Sequence, residues 1–253
     1  MSNPILNRAV DLSSDNSRYA GFDSTYQNYS GGRDTVKEIT VSDVLTKTLQ
    51  LFAVLIPVAL MSAVFIPVKY MDITFYVSIG LVLAFPLVFM FVKKIPVPLL
   101  FIYAAIEGVF VGIASFLYTS MFSGIVPAAI LSTTIAAGVV FAGQRSGLLK
   151  TTKTTRKFFY YFLAAYLVFT IFALGAAAFG APIMVLGSPL CWGVSIFGTA
   201  MAIFSLLIDI ENIELAHGNP DVNNSSWMLA FGLMVSLVWL YLEMLRLIAN
   251  SRR

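Results

Sequence analysis

The stretch VPLLFIYAAIEGVFVGIASFLYT, residues 97–119, holds one ionisable acid, Glu107, in 23 otherwise uncharged positions. A run of roughly 20 apolar residues is long enough to cross a bilayer as an α-helix. The run is continuously apolar, without the alternation of a transmembrane strand, so a helix is expected rather than part of a barrel. Runs of the same kind recur on both sides of it. The expected spans are 48–67, 73–92, 97–119, 124–143, 158–179, 190–212 and 226–248. The fold class that follows is an all-α integral membrane protein, a seven-transmembrane-helix bundle.

Composition agrees. Of the 253 residues, 58% are hydrophobic and only 11% charged, whereas soluble domains carry about a quarter charged residues. That balance argues against a soluble enzyme and against a nucleic-acid-binding module. A single cysteine, Cys191, cannot form an internal disulfide. The single histidine, His217, reads as a solvated loop residue and leaves little room for His-based catalysis. No phosphate-binding loop, dinucleotide fingerprint, zinc-protease helix or G-x-S-x-G elbow is present. Intramembrane aspartyl proteolysis would need two aspartates brought together, and only Asp209 lies within a span. Neither enzymatic activity nor a cofactor is expected.

Residues 1–44 are different material, rich in Ser, Asn, Gly, Tyr and mixed charges. They offer too little apolar surface to offset ordering entropy and are expected to be a disordered polar tail ahead of a membrane domain at 45–253. No apolar core follows Met1 closely enough for a signal peptide. Positive charges orient the bundle. Lys37, Lys47, Lys93, Lys94, Arg145, Lys150, Lys153, Arg156 and Lys157 fall on the amino-terminal side, and Lys69, Arg246, Arg252 and Arg253 on the other. The expectation is a multi-pass protein with its N-terminus in the cytoplasm and its C-terminus outside. The C-terminal arginines argue instead for a re-entrant last segment or six spans. Within the spans, Pro57 and Pro86 should kink their helices, and Gly108 with Gly112 permits close helix approach.

Three acids inside or at the edges of the spans stand out: Glu107, Asp209 and Glu243. An ionised side chain at mid-bilayer costs about 3 kcal/mol on insertion scales, so such residues usually face the bundle interior. Helical spacing agrees. Glu107 shares a strip with Ala104, Gly108, Gly112 and Ser115; Asp209 with Ser205, Ala202 and Gly198; Glu243 with Ser236 and Gly232. At 1.5 Å per residue, Glu107 lies about 15 Å up from the amino-terminal side and Glu243 roughly 25 Å up. Asp209 is placed near the amino-terminal side, closer in level to Ser236 than to Glu243. Carboxylate oxygens suit hard cations, and low dielectric favours the neutral acid. The three acids are thus candidates for a proton-sensitive cation pathway. Structural readings stand beside this one: an i,i+3 ion pair of Glu243 with Arg246, a water-facing helix end for Asp209, and a hydrogen bond from Glu107 to a neighbouring helix.

Five stretches carry a resemblance: VSDVLTKT (41–48), IEGVFVG (106–112), RSGLLKTTK (145–153), LLIDIENIELAHGNPD (206–221) and WLYLEMLRLI (239–248). In their order and spacing they resemble the Bax inhibitor/YccA family, most of all its bacterial branch with a polar N-terminal extension. The resemblance implies a last helix near the centre of the bundle, wrapped by two three-helix layers. It also implies a bacterial inner membrane and a pH-sensitive Ca²⁺ leak controlled by two aspartates on the last two helices. Asp209 matches the first, in an Asp-x-x-x-Ile pattern. For the second, one register puts Ser236 in place and matches more residues; another puts Glu243 there. Proton-sensing or gating residues are therefore Asp209, Ser236 and Glu243, and the cation pathway Glu107, Asp209 and Glu243. Expected partners are the lipid bilayer and Ca²⁺ or other cations, with no nucleic acid. The alternative function is a non-conducting regulator that binds a membrane-anchored ATP-dependent protease, a role the polar tail suits. A third is a proton-coupled exporter using Glu107.

Overall fold

In a computed structural model the protein is described over residues 38–89 and 96–253. Seven helices are long and apolar enough to cross a membrane. They are α1 (Val41–Phe65), α2 (Val68–Phe89), α3 (Val97–Met121), α4 (Ile125–Arg145), α5 (Lys153–Ala178), α6 (Pro189–Ala216) and α7 (Ser225–Ser251). A 3-10 turn, Val222–Asn224, precedes α7. The last helix is continuous for 27 residues and, like the other six, is long and apolar enough to cross a membrane. Of the polar tail expected over 1–44, residues 1–37 lie outside the described residues, as do Lys93 and Lys94.

Helices start where side chains cap them. Thr40, Thr152 and Ser188 accept the backbone N–H of Asp43, Thr155 and Cys191 at 3.1, 3.1 and 3.2 Å. Each cap satisfies one of the donors that a helix start leaves open, a contribution of about 1 kcal/mol. Helix α1 therefore begins at Val41, seven residues ahead of its apolar run. Just before it, the Ile39 N–H donates to the Asn219 carbonyl at 2.8 Å, and its carbonyl accepts from Gly218 at 3.0 Å. The loop between α6 and α7 thereby fixes the entry to α1. Pro57 and Pro86 both lie within their helices.

Helices α1 and α2 pack on α3, and α4 and α5 pack on α6. The last helix packs against α1, α3, α4 and α6, and so joins the two groups. Its central place follows from its sequence: Ala230, Leu233, Met234, Leu240, Leu245 and Ala249 are all buried, with residues of both groups around them. The outer helices show the opposite pattern. Leu49, Leu60 and Val64 on α1 and Val168 and Phe172 on α5 are each at least 64% exposed. A soluble protein does not leave apolar area of that extent in water; lipid covers it.

The Gly108–Gly112 pair does bring helices close. A methyl group at Gly108 would sit 2.6 Å from the Leu55 carbonyl oxygen, and one at Gly112 would collide with Ala59 and Ser62. Without a hydrophobic driving force inside lipid, such close van der Waals packing is what holds α1 to α3. Aromatic contacts extend the layer: Phe75 meets Phe110 at 5.4 Å, and Tyr103 meets Phe231 of α7 at 4.9 Å between ring centroids.

Candidate functional site

Asp209 sits on α6 two turns before its end, on the face toward α7. The Ser236 hydroxyl of α7 donates to its Oδ2 at 2.5 Å. Ser205, one turn earlier on α6, meets the Ser236 hydroxyl at 2.8 Å. Three side chains thus form a hydrogen-bonded chain across the α6–α7 interface. Gly232, one turn before Ser236, makes room for it, since a methyl group there would lie 3.3 Å from Asp209 Oδ1. Asp209 is only partly buried, while Ser236 is 4% exposed. The acid therefore lies between the packed centre and the accessible amino-terminal side. The charge of Arg156, at the start of α5, reaches Asp209 from that side. Its own bonds go elsewhere, to Asn212 Oδ1 at 2.8 Å and Glu211 at 2.9 Å.

Glu243 is two turns further along α7 and has different company. Its Oε1 accepts from the Tyr166 hydroxyl of α5 at 2.5 Å and from Trp239 Nε1 at 3.0 Å. Its Oε2 is ion-paired with Arg246. Arg246 also donates to the Tyr166 hydroxyl at 2.7 Å and reaches the Val194 carbonyl at 3.5 Å. Both partners are largely buried, and Gly198 of α6 makes the space, because a methyl group there would be 2.7 Å from the carboxylate. A buried charge is tolerated when it is paired and its remaining sites are hydrogen-bonded. The ion-pair reading of Glu243 describes this geometry. Arg246 is accordingly a core residue and carries no weight as a flanking positive charge.

Glu107 on α3 is 2% exposed and lies within the apolar layer that α1, α3 and α7 share. The Tyr103 side chain, one turn earlier, lies against its carboxyl. Its Oε2 has no hydrogen-bond partner among the described residues. Asp209 meets α7 at Gly232 and Ser236, whereas Glu107 lies against Tyr103 of its own helix. The structure brings Asp209 and Ser236 together. It leaves Glu107 and Glu243 in separate neighbourhoods. Among the described residues no group of three or more His, Cys, Asp or Glu side chains could hold a metal ion.

Ser205 and the Trp239–Glu243 pair have a signal in the sequence, a spacing of four on one helix. Tyr166 has none. It is one of several aromatics on α5, and only the packing of α5 against α6 selects it.

A family model described as Bax inhibitor 1 like matches residues 3–253. No curated protein matches the chain. With seven apolar helices, a joining last helix and a match over almost its whole length, the chain belongs to the Bax inhibitor 1-like family.

Proposed function

We propose that the protein is a cation leak of the membrane, with Ca²⁺ as the permeant ion and Asp209 as its proton-responsive gate. The observation that carries this reading is the Ser236–Asp209 bond, which ties α6 to the helix joining both halves of the bundle. An ionised carboxylate accepts a charge-assisted hydrogen bond, roughly twice as strong as a neutral one. Protonation of Asp209 removes the charge and reverses the donor order through Ser236, so the α6–α7 tie weakens. Opening is thereby linked to proton uptake, and the leak increases as pH falls. Serine does not titrate in this range, so a single carboxyl sets the response, in contrast to the pair of aspartates that the family resemblance implies. Glu243, neutralised by Arg246, and Glu107, buried on α3, brace the bundle in this reading.

The proposed setting is a bacterial inner membrane with the N-terminus in the cytoplasm, supported by Lys47, Arg145, Lys150, Lys153, Arg156 and Lys157 on the amino-terminal side. The test is Ca²⁺ entry into liposomes containing the purified protein, against protein-free liposomes. Entry above that background supports the leak. No entry at any pH rejects it and favours the protease-binding regulator, whose effect should then depend on residues 1–40.

A further inference from the structure

A cavity of about 420 Å³ opens between α1, α4 and α6 at the amino-terminal side of the bundle. Its size lies within the range of small-molecule sites, roughly 300–1,000 Å³. Helices α1 and α4 do not pack closely on each other, and α6 forms the floor. The walls are apolar: Leu45 from α1, Phe141 from α4, and Ile210 and Ile213 from α6. Two charged residues stand at the mouth. Glu214 is engaged by Gln144 Nε2 at 3.0 Å. Arg145, the last residue of α4, is exposed and has no ion-pair or hydrogen-bond partner among the described residues. Lys150 and Lys153 follow in the next turns of chain and are also exposed and without an ion pair among the described residues.

We propose that this cleft binds one anionic phospholipid, with an acyl chain between α1 and α4 and its phosphate on Arg145. Chemistry selects the occupant. The apolar side chains from three helices offer no hydrogen bond, so a free phosphate or a soluble metabolite would be poorly served inside. The mouth carries Arg145, a cation without a partner among the described residues, and Glu214, whose carboxylate is already engaged by Gln144; Lys150 and Lys153 follow in the chain, so a negative headgroup fits. Position agrees, since Arg145 ends a membrane-crossing helix and lies where a headgroup layer meets the hydrocarbon. The chain has a way in from the bilayer: Leu45 is 36% exposed and Leu49, one turn on, 68%. A lipid seated here touches both three-helix groups.

The test uses the full chain in nanodiscs of phosphatidylcholine, with and without phosphatidylglycerol carrying a photoreactive acyl chain. Crosslinks on Leu45, Phe141 or Ile213 with phosphatidylglycerol, and not with phosphatidylcholine bearing the same group, are the expected result. Arg145→Gln, an exposed change that leaves the packed centre intact, should lower phosphatidylglycerol retention in native mass spectrometry about fivefold, the effect of one basic side chain near an anionic surface. Lys69→Gln, at the opposite side, should leave retention unchanged. Glycerol phosphate without acyl chains should not compete. Equal crosslinking by both lipids, unchanged retention in Arg145→Gln, or displacement by glycerol phosphate would each overturn the proposal.

Discussion

Ser236 of the last helix donates a 2.5 Å hydrogen bond to Asp209 of the helix before it, and Ser205 continues the chain at 2.8 Å. Only Asp209 among the three is ionisable, since the two serine hydroxyls keep their protons. A protonation event at this point therefore acts directly on the α6–α7 contact. Ser236→Ala removes the donor and keeps the acid. It should raise Ca²⁺ entry at high pH toward the low-pH level while leaving a residual pH response, as measured by flux into liposomes. Ser236→Asp places two carboxyls within hydrogen-bond reach, and such groups titrate as a coupled pair. Its flux–pH profile should be broader and more complex than that of the wild type.

The two interface glycines make a sharper structural prediction. Gly108→Ala and Gly112→Ala push a methyl group onto the α1 backbone and should each lower stability by about 1–3 kcal/mol, the usual range for overpacking. Gly138→Ala and Gly193→Ala meet nothing within 4 Å. They should be neutral or slightly stabilising, since alanine is the better helix former. Thermal unfolding of the four variants in one detergent separates the two classes.

Glu243 and Arg246 support each other. Arg246→Met alone leaves a buried carboxylate unpaired and should destabilise by about 3–5 kcal/mol. The double variant Glu243→Gln, Arg246→Met removes both charges and should recover much of that loss. A double-mutant cycle on unfolding in mixed micelles checks the coupling. Additive losses would mean that the pair contributes nothing as a pair.

At the amino-terminal side, Lys47 reaches Asp43 at 2.7 Å, Asp221 at 3.6 Å and the Ser226 hydroxyl. Burial alone would push the Asp221 carboxyl up. The Ser226 hydroxyl and N–H and the Lys47 ammonium outweigh it and hold the group below its ordinary value. A carboxyl lowered by folding stabilises the protein above its unfolded value of about 3.9, and that contribution is lost as pH falls through the folded value. The stability difference between wild type and Asp221→Asn should therefore be full near neutral pH and shrink below about pH 4. Unfolding midpoints across that range measure it.

Much of the fold could be read from hydropathy because each span is a continuous apolar run. The helix ends could not. Helix α5 starts at Lys153 and α6 runs to Ala216, past the expected 158 and 212. Backbone hydrogen bonding continues beyond the hydrocarbon where polar side chains such as Arg156, Glu211 and Asn212 find one another. The meeting of Asp209 with Ser236 was legible as a match in depth, and Glu243 with Arg246 as a spacing of three. Tyr166, which completes the second cluster from another helix, left no trace in local pattern.

The central claim is that Asp209 is the proton-responsive gate. It is tested most directly by Ca²⁺ entry into liposomes across about pH 6 to 8, where a carboxyl in a low-dielectric setting can change charge, comparing wild type with Asp209→Asn. The account predicts that wild-type entry rises as pH falls, and that the variant, locked without charge, gives high entry that no longer depends on pH. A variant that keeps the wild-type pH profile would contradict it.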